Sequence, residues 1–343
     1  MKAAIIQSPQ ILHIQEVSEP VMGEYDALCE LLCASICNGT DHHAIKGDPY
    51  FEVPFPTILG HEGIGRVLAV GTHVRQFKVG DLVTRVVNTL PSESNIRVKP
   101  GWGSFAERGI VTDWQALRDH GVPESTWRPH MIHQVLPPDI DPLAATMVIT
   151  WRETLSFLRR MGVHAGERIL IIGSGANALA FVEHARNLGL VPSVIGSPQR
   201  ASSFQQAGAT HFISYRDTDA LASLHTHERF DVMIDAIGKS DGLNAILPRL
   251  KPHGKVAVYG LDHFLAYDLH ATKAPGAFMY FNGNEYEEGT THEEVVEALR
   301  AGKLDPWLYL SKEHTYPFHE LHKALDASEQ RLVIKSAIDF RLS

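Results

Sequence analysis

Two kinds of hydrophobic pattern divide the chain. From residue 1 to about 145, short β-like runs are broken by Gly and Pro, as in "GIGRVLAVGTHVRQFKVGDLVTRV", and predict a mainly β region. From about 146 the apolar positions gather into continuous runs: "ERILIIGSG", "LVPSVIG", "ATHFISY", "FDVMIDAIG" and "GKVAVYGL". Short runs of this kind, bounded by turn residues, read as strands buried on both faces of a parallel sheet. Amphipathic stretches such as "ALAFVEHARNLG" lie between them, which predicts βαβ units and a doubly wound sheet. Beyond roughly 305 the pattern returns to short mixed elements, without tandem repeats or low-complexity linkers. The fold class is therefore expected to be α/β, a mainly β half beside a doubly wound parallel-sheet half.

At 343 residues the chain exceeds the usual size of one domain, which agrees with two. Apolar residues make up 44% and charged residues 21%, and no uninterrupted apolar span approaches the roughly 18 residues of a membrane helix. The start, "MKAAIIQSPQ", has one Lys but no apolar core or small-residue cleavage site of a signal peptide, so a soluble cytoplasmic protein is expected. Lys and Arg total 31 against 40 Asp and Glu, a balance that lacks the basic patch needed for nucleic-acid binding. Expected partners are thus neither nucleic acid nor membrane.

The three cysteines, Cys29, Cys33 and Cys37, recur every fourth residue. On a strand such neighbours stand roughly 13 Å apart, beyond the roughly 7 Å Cα separation that a disulfide tolerates. Cys29 and Cys33 read as core residues of a strand. Cys37 differs because it stands at the strand end, inside "SICNGTDHH", among a hydroxyl, a carboxylate and two imidazoles.

In the second half, "ILIIGSGANALAF" runs an apolar strand into Gly173, Ser174, Gly175 and Ala178, then a helix. Gly173 permits the tight turn, Gly175 lets backbone approach a pyrophosphate at the helix N-terminus, and Ala178 can replace a third glycine in close helix packing. Placed in a strand-turn-helix-strand series, the motif predicts dinucleotide binding. At the end of the next strand, where Asp or Glu would bond the ribose 2′-hydroxyl of NAD, "SVIGSPQR" offers Gly196 instead. Ser197 can donate a hydrogen bond and Arg200 a charge-assisted contact to a 2′-phosphate, so NADP(H) is expected over NAD(H). The competing reading has Arg200 merely starting a solvated helix.

Several ordered motifs of the first half now bear on family. "TILGHEGIGRVLAVGTHVRQFKVGDLV" carries Gly60-His61-Glu62, the Gly65 and Gly71 spacing and "VGD" at 79 to 81; "GSFAER" follows at 103 to 108. With "GSGANA" these resemble the zinc-containing medium-chain alcohol and polyol dehydrogenases over nearly the whole chain. The resemblance implies a GroES-like catalytic domain at 1–145, completed by 305–343, and a Rossmann domain at 146–304. It also implies one catalytic zinc with three protein ligands and an open position. Cys37, His61 and Glu62 are the ligand candidates, Glu62 either directly or by orienting a bound water. A hydrogen-bonded buried pair is the alternative for His61 and Glu62. In the family, a hydroxyl and an imidazole near the metal relay the alcohol proton to solvent, and "TDHH" matches at Thr40 and His43.

Three departures from the family pattern stand out. The usual Cys-x-Thr/Ser spacing carries one extra residue in Cys37-Asn38-Gly39-Thr40. In a strand that slip would turn the side chain over, so either a bulge at Gly39 absorbs it or Asn38 takes the ligand position. The third-ligand position falls at Val148 to Thr150, none a good donor, which leaves Glu62, Glu153 or a second water. Finally, "TRVVNTLPSESNIRVKPGWGSFAER" holds no Cys where many members bind a structural zinc, so no such zinc is expected. Trp102 and Phe105 are candidate substrate contacts, with loop packing as the competing role. The resulting expectation is a zinc-dependent, NADP(H)-preferring oxidoreductase, also a homo-oligomer, that interconverts a secondary alcohol or polyol and its ketone. The alternatives are a zinc-free quinone or enone reductase and a noncatalytic NADPH-binding protein.

Overall fold

The computed structural model describes residues 1–48, 54–88, 102–219, 221, 229–263, 266–283 and 286–342. Most of the cysteine-free stretch that replaces the structural-zinc lobe, 89–101, lies outside the described residues. The backbone forms two compact units, one of 1–149, 288–296 and 309–343, the other of 150–287 and 297–308.

In the first unit β1 (Lys2–Ser8) pairs antiparallel with β2 (Ile11–Glu16), and its other edge takes β4 (Thr57–Ile58). The central strand of the larger sheet is β3 (Asp26–Ser35), "DALCELLCAS", in which Cys29 and Cys33 are fully buried and burial pushes both thiol pKa values up. Around it lie β5 (Gly63–Val70), β6 (Leu82–Thr84), β7 (Arg108–Thr112) and β8 (Val135–Leu136). Ala4, Ile6, Ile36, Leu59, Phe105, Phe318 and Ile338 share one core cluster, which draws both chain ends together.

A 20-residue helix, Pro142–Met161, carries the chain onward. Five continuous apolar runs become β9 (Arg168–Ile172), β10 (Val191–Gly196), β11 (His211–Ser214), β12 (Phe230–Asp235) and β13 (Leu250–Val258). A sixth strand, β14 (Met279–Asn282), joins β13 in parallel. The order β11-β10-β9-β12-β13-β14, parallel throughout, is that of a doubly wound dinucleotide-binding sheet. The chain then returns to the first unit, where β15 (Thr315–Pro317) pairs with β16 (Ala337–Asp339) and β16 runs antiparallel to β3. Among the described residues no helix is long and apolar enough to cross a membrane.

Candidate metal and dinucleotide sites

Strand β3 ends at Ser35, and the backbone becomes helical before the helix Thr40–Lys46 begins. Asp41 N donates to Cys37 O at 3.0 Å, His43 N to Gly39 O at 3.0 Å, and Gly39 has φ −72° and ψ −71°. The bulge expected at Gly39 is therefore replaced by a helical turn. Because the two-residue period of a strand stops at Ser35, the extra residue does not turn Cys37 to a wrong face. Asp41, fully buried, uses one carboxylate oxygen to accept from Cys37 N at 2.8 Å, while the other lies 3.2 Å from His61 Nδ1. Asn38 points elsewhere, its Oδ1 accepting from Ser328 Oγ at 3.1 Å.

His61 and Glu62 stand at the entry to β5, both buried. The outcome is a group of donors from Cys37, His61 and Glu62 whose ligand atoms all lie within 4.8 Å of one another. Among the described residues no other group of three or more metal-donor side chains lies so close together. A tetrahedral zinc with bonds of about 2.0–2.3 Å places its ligand atoms roughly 3.3–3.8 Å apart, a small contraction from this arrangement. Thiolate, imidazole and carboxylate are zinc donors, and a carboxylate on the second imidazole nitrogen is the usual support for a ligating histidine. The residues present thus fit the ion.

Sequence reading missed the buried cation of this cluster. Lys335, only 3% exposed and just before β16, forms an ion pair with Glu62 Oε2, which also accepts from Ser35 Oγ at 2.5 Å. Burial alone would raise the Glu62 pKa, but the Lys335 ammonium, His61 and the hydrogen bonds outweigh it and hold the carboxyl below its ordinary value. Burial likewise opposes charge on Lys335, yet Glu62 and Cys37 raise its pKa. Burial would also lower the His61 pKa; Asp41 and Cys37 reverse the sign and raise it well above its ordinary value. A divalent cation among Cys37 thiolate, Glu62, Asp41 and Lys335 leaves the buried cluster without net charge, a second point of fit.

Trp102 stacks on the His61 ring, centroids 5.4 Å apart and planes 3° from parallel. Phe105 is fully buried in the core cluster, the packing role. Thr40 opens its helix, and His43 Nδ1 lies 2.6 Å from Asp48 Oδ2. Val148 and Thr150 are buried in the helix Pro142–Met161, and Glu153 accepts from Tyr286 OH at 3.1 Å rather than joining the donor group.

In the second unit β9 runs into Gly173, whose φ of +131° suits glycine and whose N–H donates to Ile195 O at 2.9 Å. Gly175 caps the helix Ala176–Asn187 with no side-chain bond, and among the described residues nothing stands within 4 Å of where its Cβ would be. With no side chain capping them, the first-turn N–H groups of this helix are of the kind that can receive a phosphate. Ala178 is buried, and Ser197 N donates to Ser174 Oγ at 3.1 Å, joining the glycine turn to the end of β10. Packing also calls for glycine at position 196. A Cβ there would lie 2.9 Å from Ser174 Cβ and 3.0 Å from Phe212 Cζ, so the missing side chain admits protein neighbours. Arg200, half-buried, ends a short 3-10 turn, Pro198–Arg200.

Two family models match the chain: an alcohol dehydrogenase GroES-like domain over residues 23–122 and a zinc-binding dehydrogenase over residues 207–334. Sorbitol dehydrogenase of Bacillus subtilis is 25% identical, with 98% of this chain and 95% of the relative covered. L-galactonate-5-dehydrogenase of Escherichia coli is 27% identical over 99% of each. The NADP-dependent isopropanol dehydrogenase of Clostridium beijerinckii is 28% identical over 71% of each. Among solved structures, an Escherichia coli oxidoreductase of unknown specificity aligns with a TM-score of 0.80 at 23% identity, covering 98% of both chains. A Sinorhizobium meliloti zinc-binding dehydrogenase bound to NADP aligns with a TM-score of 0.77 at 17% identity, again over 98% of both.

Proposed function

Since the chain belongs to the zinc-containing medium-chain alcohol and polyol dehydrogenases, we propose that it is a zinc-dependent, NADP(H)-preferring oxidoreductase for a secondary alcohol or polyol and the matching ketone. The observation that carries this reading is the convergence of Cys37, His61 and Glu62 donors within 4.8 Å. Zinc held there would supply a Lewis acid for the substrate oxygen, and bound NADP(H) the hydride acceptor or donor. Alcohol oxidation releases one hydride and one proton. Thr40 would accept the hydrogen bond of the substrate hydroxyl and give up its own hydroxyl proton as that proton arrives, and His43, braced by Asp48, would release the proton to water. Asp41 keeps the His61 ring oriented, and Lys335 with Ser35 keeps Glu62 ionised. In the second unit, the helix terminus at Gly175 receives the pyrophosphate, while Ser197 and Arg200 read the 2′-phosphate.

The relatives' names support the substrate class, since they include a sorbitol dehydrogenase and an NADP-dependent isopropanol dehydrogenase. A cytoplasmic homo-oligomer completes the proposal, and light scattering reads its mass. Purified protein should carry about one zinc per chain, the number that a single catalytic site implies. Stripping it with a chelator should abolish turnover on a panel of secondary alcohols and polyols, and restoring zinc should return it. The ion pair of Lys335 with Glu62 favours a second reading, a zinc-free reductase of quinones or enones, because Glu62 already has a cation. Full activity in metal-free protein would establish that reading and discard the first.

A further inference from the structure

Arg85 follows β6 with φ +60°, a left-handed conformation that is costly for a bulky residue. Among the described residues four non-glycines have positive φ; Gln10, His253 and Arg331 are exposed, whereas Arg85 is buried. Its guanidinium runs inward, Nη1 donating to the His61 carbonyl at 2.7 Å and Nε to Glu288 Oε1 at 3.0 Å, with Nη2 on Oε2. A planar fork can grip a carboxylate with two nitrogens and keep a third for a carbonyl, which a lysine cannot. Glu288 arrives from 203 residues further along the chain and is also buried. It opens the 3-10 turn Glu288–Thr291, where Thr291 Oγ1 donates to Glu288 O at 3.1 Å.

Neither ion belongs to the proton path, and burying two charges is expensive unless their placement serves something. The carbonyl that Arg85 holds, with Glu288 gripping the same guanidinium, is that of the peptide joining His61 to Glu62, two of the three candidate metal donors. The geometry points to Arg85 and Glu288 as positioning residues that fix this peptide so that both donors face Cys37, an inference that rests on the zinc reading above. Outer partners of metal ligands set affinity, commonly by ten- to a hundredfold on removal.

The test is zinc affinity of the full-length protein, measured at equilibrium against a chromophoric chelator. Arg85→Lys, one ammonium in place of a fork, should weaken zinc by roughly ten- to a hundredfold. It should also alter the thiolate-to-metal absorption band of cobalt-loaded protein. Arg85→Met combined with Glu288→Leu removes both charges together, so no lone buried ion is left to unfold the chain, and should weaken zinc to a similar degree. A pair that serves only the fold would lower the unfolding midpoint of metal-free protein and leave zinc affinity within about twofold of the parent. That result overturns the inference, as does failure of both variants to fold in excess zinc. If the parent binds zinc tightly and the folded variants bind it equally, this inference alone fails; if the parent binds none, the zinc reading fails with it.

Discussion

Single side chains make the most direct predictions, because several here have a role that a neighbour of the same size cannot take. Lys335 is the partner of a buried carboxylate, so Lys335→Met should destabilise zinc-free protein by about 3–5 kcal/mol, the usual cost of leaving one buried ion alone. Zinc provides another cation for Glu62, and urea unfolding with and without it should show the deficit shrinking in its presence. At the cofactor loop, Arg200→Ala should lower kcat/KM for NADP⁺ about ten- to a hundredfold while sparing NAD⁺, since a charge-assisted contact contributes about 1.5–3 kcal/mol. Equal loss on both cofactors would mean that Arg200 does not read the 2′-phosphate. Gly196→Ala should behave differently. Its Cβ would crowd Ser174 and Phe212, distorting the turn that both cofactors share, so the two kcat/KM values should fall together with their ratio unchanged.

Among the elements, the helix Ala176–Asn187 starts from the glycine turn without a side-chain cap, while its middle is buried, Glu183 and His184 included. Glu183 accepts from Trp151 Nε1 at 3.0 Å and Asp305 N at 2.9 Å, and His184 Nε2 donates to Trp151 O at 3.0 Å. Burial pushes the His184 imidazole down to about 3, against an ordinary value of 6.5. The folded pKa being the lower one, the unfolded chain binds the extra proton. Stability is therefore fully present above pH 6.5 and is lost as pH falls from there towards about 3, at up to about 1.4 kcal/mol per unit. His184→Gln keeps a donor for Trp151 O and should flatten this acid limb in unfolding curves taken at stepped pH. An unchanged limb would assign acid sensitivity to other groups. Strand β14 illustrates a different limit of local reading. Met279 and Tyr280 are about half exposed, so "MYFN" lacks the near-continuous burial by which β9, β10 and β12 announce themselves.

For the molecule as a whole, zinc should act as a ligand of the folded state. The Cys37, His61 and Glu62 donors converge only after β3, the helix Thr40–Lys46 and β5 have come together, so the unfolded chain has no comparable site. At free zinc a thousandfold above Kd, the gain is about 4 kcal/mol. For a unit of this size that corresponds to a Tm increase on the order of 10 °C. Calorimetry on stripped and reloaded protein should detect it, and His61→Ala should abolish the increase by removing a donor. Identical melting curves in all three samples would exclude a zinc site in the folded chain.

What the sequence determined by itself were the features encoded by neighbours along the chain. Five parallel strands, the glycine turn at Gly173 to Ala178, and the adjacency of His61 and Glu62 follow from local period and spacing. Local patterning also misled at Gly39, where strand alternation is carried four residues past the end of β3. Only the tertiary structure decided that Cys37 rather than Asn38 turns to His61, that Lys335 meets Glu62 across 273 residues, and that Gly196 makes room for Ser174 and Phe212. The physical reason is that periodicity records which face of an element is buried, whereas a buried charge is satisfied by whichever distant element closes over it. No short window of sequence contains both partners.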